Sequence, residues 1–184
     1  MKTKLMMAAA MVVTLQARQI EHAVDQMVVV YFENSLAPTD EFMATKLADK
    51  MFATAGVRIV WRVGAPSAEK IAEERPVVIC FATNTAVPGA LAFAAPYEGV
   101  HVTIFYDRVQ MGDRRATQAV LAHVLVHEIT HILQGFVRHS ESGIMRAQWT
   151  SQDYADMVWR PLSFTADDIR LIHSGLVVRA AKKG

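Results

Sequence analysis

Five consecutive residues of this 184-residue chain, His127-Glu128-Ile129-Thr130-His131, carry two imidazoles and a carboxylate at a spacing that gains meaning on a helix. At about 100° per residue, positions four apart lie on one face a turn apart, so both rings can reach one metal ion while the glutamate is angled towards the ion's open side. Neutral imidazole is a good zinc ligand, and a carboxylate beside a metal can take a proton from water near neutral pH. That pairing suits hydrolysis. The pentapeptide alone also fits a structural reading, with polar residues along one side of a packed helix. The residues C-terminal to it favour the chemistry. Gly135 can end a helix in the left-handed conformation and turn the chain, His139 lies beyond that turn, and Gly143-Ile144-Met145 has turn character.

From His127 to Met145 the residues HEITHILQGFVRHSESGIM resemble the zinc-binding region of the metzincin metallopeptidases, whose pattern is H-E-x-x-H-x-x-G-x-x-H followed by a methionine-containing turn. They are also similar to a small group of uncharacterised bacterial proteins with the same HExxH, His-Ser and Gly-Ile-Met arrangement. The resemblance covers about one tenth of the chain. It implies zinc as cofactor, His127, His131 and His139 as its ligands, Glu128 as general base, and Met145 in a hydrophobic floor under the metal. Ser140, directly after the third histidine, resembles the matrixin branch. The activity implied is that of a zinc-dependent endopeptidase acting on a peptide or protein. The family places glycine three residues and the third histidine six residues after the second histidine, whereas here Gly135 is four and His139 eight beyond His131. Glu141 therefore stands as the substitute third ligand. The wider spacing also supports an alternative function, a non-catalytic zinc-binding interaction module that keeps the fold and cleaves nothing.

The other polar residues have plainer readings. His123 is eight residues before His131, which on a helix means about 80° of rotation and about 12 Å of rise, so the two cannot share an ion. It is expected to pack or to support the site from behind. His22, His101 and His173 read as surface or packing residues, and Cys80, in an apolar run, as an inert core thiol. Tyr154 could donate to an oxyanion but reads first as packing, and Asp167 and Asp168 are accounted for by the macrodipole at a helix start.

The elements around the motif should form an α+β domain, zincin-like, with a mixed twisted sheet on a long active-site helix and a C-terminal helix after the methionine turn. Met27 to Phe32 reads as a strand at the sheet's centre, and residues 57–63, 75–82 and 100–106 as further strands. The last of these, just before the active helix, is the expected edge strand for a substrate backbone. Thr39 should cap a helix to about Ala55 with Met43, Leu47 and Met51 inward; Ala116 to Leu133 should be the buried active helix; and Thr165 should cap the final one. Loops at 84–98 and 146–162, with Tyr97, Trp149 and Trp159, are the expected walls of the substrate site.

Composition narrows the classes. A single cysteine excludes an intramolecular disulfide and a cysteine-ligated zinc ribbon, so any metal must be held by histidine or carboxylate. A formal charge of +1 supplies no basic face for a run of phosphates, so nucleic acid is not an expected partner. Lys2 and Lys4, with the uncharged stretch Leu5 to Leu15 after them, fit the plan of a signal peptide ending near Ala17. The stretch is too short for a stable membrane span, which takes about 20 apolar residues. The expected organisation is a leader at 1–17 and one catalytic domain at 18–184, exported to a periplasm or exterior, and no feature of the sequence sets an oligomeric state.

Overall fold

The computed structural model describes residues 26–35, 37–83 and 88–182; the expected leader and His22 lie outside the described residues. In chain order the elements are β1 Gln26–Phe32, α1 Pro38–Thr54, β2 Val57–Val63, α2 Ala68–Glu74, β3 Val77–Ala82, β4 Ala92–Ala94, β5 His101–Phe105, α3 Tyr106–Val109, α4 Arg114–Gln134, α5 Ser151–Met157 and α6 Ala166–Ala181. The five strands form one mixed sheet in the order β2-β1-β3-β5-β4, parallel throughout except for β4, which runs antiparallel to β5. The α+β layout expected from the sequence is the one observed. β1 is interior, but β3 occupies the centre. β1 and β3 have parallel neighbours on both sides and their apolar runs are mostly buried, with Met27 at the start of β1 51% exposed.

The edge beside the active helix differs from expectation. Residues 101–105 pair on both sides, with β3 and with β4, so the free edge belongs to β4 instead. Ala-Phe-Ala has no β-branched residue and only three positions, too weak a pattern to be read as a strand from the sequence.

α4 is nearly all apolar because it is nearly all covered, packing on α1, α6, β4 and β5. The Asp113 side chain accepts from Ala116 N–H to cap its start, and Gly135 at φ 81° ends it with its N–H on the His131 carbonyl. α1 begins earlier than expected, at Pro38 in place of a Thr39 cap, because proline's fixed φ and missing N–H suit a first helical turn. It also presents a different face. Ala44, Ala48, Met51 and Phe52 are buried while Met43 is 47% exposed, the two alanines letting α1 approach α4 closely. α6 meets α4 at an equally close point: a Cβ built on Gly175 would run into the Leu133 carbonyl. No helix among the described residues is long and apolar enough to cross a membrane.

The Gly175 contact gives a stability prediction. Gly175→Ala forces the two helices apart and should cost about 1–3 kcal/mol by overpacking. A thermal melt should show this as a loss of about 2–4 °C per kcal/mol, with helical signal retained below the transition.

Candidate metal centre

His127 and His131 leave the buried side of α4 one turn apart, and the chain after Gly135 brings His139 to meet them. One ligand nitrogen from each of the three lies within 4.8 Å of the other two, and no further cluster of this kind exists among the described residues. His139 belongs to this cluster, and Glu141 is exposed and outside it. The two residues by which the spacing exceeds the metzincin pattern divide evenly. One lengthens the helix past His131, and one widens the loop between Gly135 and His139.

The orientation of the His127 ring is set from behind. A carbonyl can only accept, so the 2.9 Å contact between His127 Nδ1 and the Ile144 oxygen places the proton on Nδ1 and leaves Nε2 as a lone pair. That Nε2 stands 3.0 Å from Nε2 of His131. Nitrogen ligands at about 2.0–2.1 Å around one tetrahedral zinc ion are separated by about 3.4 Å, so this donor set fits zinc in chemistry and in scale. Nδ1 of His131 is buried with no hydrogen-bond partner; the Phe136 backbone is near enough to favour the protonated ring slightly but falls outside hydrogen-bond geometry. Burial pushes His127 down to about 4 and His131 to about 3, and it lowers the more exposed His139 as well. All three are neutral at physiological pH, the state in which imidazole binds a metal.

Glu128 lines a cleft together with the three histidines. Burial pushes its carboxyl up to about 7, against a smaller pull from the Ala94 backbone N–H, although the side chain keeps some access to solvent. The cleft has a volume of about 490 Å³ and is lined by β4, the three histidines, Glu128 and the segment around Trp149 and Tyr154. Trp149 stands edge-on to His127 at 5.6 Å between centroids and to Tyr154 at 6.1 Å. Burial raises the Tyr154 phenol, so it remains an O–H at the cleft wall. Trp159 and Tyr97, expected in the wall, are 78% and 82% exposed and lie outside it. Arg146, within the expected 146–162 wall, lines the cleft and pairs with Asp153 at 3.0 Å.

His123 behaves as expected of a supporting residue. Its Nδ1 donates to the Ala119 carbonyl and its Nε2 accepts from Leu162 N–H at 3.0 Å, so neither nitrogen is left for a metal. His101 is on the surface against Glu98. Ile144 and Met145 are fully buried in a turn closed by Ser140 N–H to the Met145 carbonyl, and Gly143 at φ 76° is required there because a Cβ would run into the Ser163 carbonyl.

Asp168 has a second role besides starting a helix. It caps α6 through one carboxylate oxygen, which accepts from Thr165 N–H and Oγ1, so the helix-start reading holds for that oxygen. Its other oxygen accepts from Ser140 Oγ at 2.5 Å and from Arg138 at 3.3 Å, and the residue is fully buried. Asp168 therefore holds the residues on either side of His139.

No protein-family model matches the chain, and no curated protein matches it in sequence. In three dimensions it is similar to archaemetzincin from Methanopyrus kandleri, with a TM-score of 0.56 over 84% of this chain and 97% of that one, at 13% identity. The fold is thus zincin-like, seen here at an identity that shows the fold alone and leaves the activity to be argued from the site.

The His139 loop generates a prediction about metal affinity. Ser140→Ala removes the anchor nearest His139 while leaving all three imidazoles, and zinc affinity should fall about 10-fold to 100-fold. Competition with a chromogenic chelator measures it. Unchanged affinity would show that Asp168 and Ser140 do not position the ligand.

Proposed function

We propose that this chain is a zinc-dependent endopeptidase. The observation that carries the reading is the convergence of three neutral imidazole nitrogens at the floor of a cleft, with a carboxylate of raised pKa on the same helix. His127, His131 and His139 would hold the ion. Bound there, zinc supplies Lewis acidity that polarises a carbonyl and lowers the pKa of water to about 7. Glu128 takes the proton of the attacking water at its carboxylate and passes it to the leaving nitrogen, a transfer favoured when the acid's pKa is near the working pH.

β4 supports a peptide as substrate. Leu91 and Ala95 bond to β5, so along an antiparallel ladder the backbone groups of Ala92 and Ala94 turn away from it, towards the cleft. An extended peptide can pair with the Ala92 N–H and carbonyl and the Ala94 carbonyl as an added strand, lying across the histidines, while the Ala94 N–H stays with Glu128. Phe93 and Val137, 54% and 57% exposed at the cleft, offer apolar contact to its side chains. Export belongs to the same proposal, on the strength of the Lys2-Lys4 leader pattern.

Glu128→Ala tests the assignment. It should keep zinc near one per chain and lower cleavage of a mixed peptide library by about 10²-fold to 10⁴-fold. Metal analysis and mass spectrometry of the products read both. Zinc in both proteins with cleavage in neither would favour the non-catalytic binding module, and full cleavage by the variant would remove Glu128 from the mechanism. Chelation and then dialysis should abolish cleavage, and added zinc should restore it.

A further inference from the structure

Behind the metal centre, at the C-terminal end of α4, a second cavity of about 240 Å³ opens between α4, α6 and the turn before β5. Gln134, the last residue of α4, faces it. Gln134 is 5% exposed, yet neither Nε2 nor Oε1 has a hydrogen-bond partner. An amide buried in this way is costly unless something bonds to it.

The opposite wall is cationic. A Cβ built on Gly99 would stand 3.1 Å from Arg75 Nη2 and 3.5 Å from Arg179 Nη1, so the two guanidiniums lie side by side. Among the described residues no carboxylate pairs with either. Arg179 donates to the carbonyls of Gly99 and Arg75, and Arg75 donates weakly to that of Glu98. These carbonyls fix the two groups in place without neutralising them. Arg75 Nε is buried with no partner at all. The Glu98 carboxylate, the nearest acid on this turn, is taken by the ring and backbone N–H of His101. Burial, with the charge of Arg75 added, lowers Arg179 to about 10, which still leaves it protonated at neutral pH. Lys182, the C-cap of α6, adds a third cation at the rim.

We propose that this cavity binds a small oxyanion, of phosphate or carboxylate type, between the guanidiniums of Arg75 and Arg179 and the side-chain amide of Gln134. A guanidinium presents two parallel donors that match two oxygens of either group. The amide supplies one more donor, and its Oε1 can accept from the hydroxyl of monohydrogen phosphate, a bond that acetate cannot make. Phosphate should therefore bind more tightly than acetate. The volume suits an anion of that size and excludes a folded segment. The site is independent of the peptidase reading, although it abuts the helix turn that bears His131.

Calorimetric titration of the purified full chain with inorganic phosphate, and separately with acetate, at ionic strength held constant with sodium chloride, tests this. Saturable binding is expected in the wild type. Arg75→Gln and Gln134→Leu should each weaken it about tenfold or more, the scale of one lost charge-assisted hydrogen bond. Arg75→Lys, which keeps the charge and loses the fork, takes the place of Arg75→Gln if that variant fails to fold. Without anion, Gln134→Leu should melt no lower than wild type, because it replaces an unpartnered amide by an apolar group of similar size. Absence of saturable binding of either anion, or binding retained in either variant, would overturn the proposal.

Discussion

The hydrogen bond from His127 Nδ1 to the Ile144 carbonyl joins two stretches of chain that have to agree before three imidazoles can meet. It fixes a tautomer and a ring angle on α4 at once, and it does so with a backbone group whose own position is set by packing. Ile144 N–H bonds to the Ser163 carbonyl, and both Ile144 and Met145 are sealed from solvent. The turn is thus held from below by the core and from the side by the segment leading into α6. A side-chain acceptor in that place could swing away; a buried main-chain carbonyl cannot.

The burial of α4 also decides the charge states. Removing His127 and His131 from water lowers their proton affinity, and the same dry surroundings raise that of Glu128. The result is a row of neutral bases beside a carboxyl poised near neutrality, obtained without a dedicated charged partner for any of them. An apolar helix is what makes this possible, since neighbours such as Leu125, Ile129 and Leu133 exclude water and add no competing ion.

Local periodicity made much of this legible in the sequence. The pair of histidines four apart, the glycine stop at Gly135 and the Thr165 cap each depend on residues within a turn of one another, and each is found where the pattern put it. Features set by distant contacts were not legible in the same way. The buried face of α1 depends on which helix it meets, so its alanines were chosen over Met43 by close approach to α4. β4 exists because β5 offers it a ladder, and nothing in Ala-Phe-Ala announces a strand. Asp168 could be read as a cap from Thr165, three residues away, but its bond to Ser140 spans 28 residues and has no local signature. Gln134 and Arg75 face one cavity for the same kind of reason, being placed by the fold and not by each other.

α6 touches the rest of the domain at three heights: Asp168 at its first turn holds the His139 loop, Gly175 midway meets α4, and Arg179 at its end bonds the carbonyls of Gly99 and Arg75. It contributes no ligand. During synthesis, however, α4 leaves the ribosome 47 residues before this helix is complete. Until then the loop bearing His139 lacks its anchor, and the sheet and α4 can be in place without a closed ligand triangle. The order of the chain therefore supplies the anchor of the His139 loop only after the sheet and α4, so the three imidazoles gain their fixed arrangement late in synthesis.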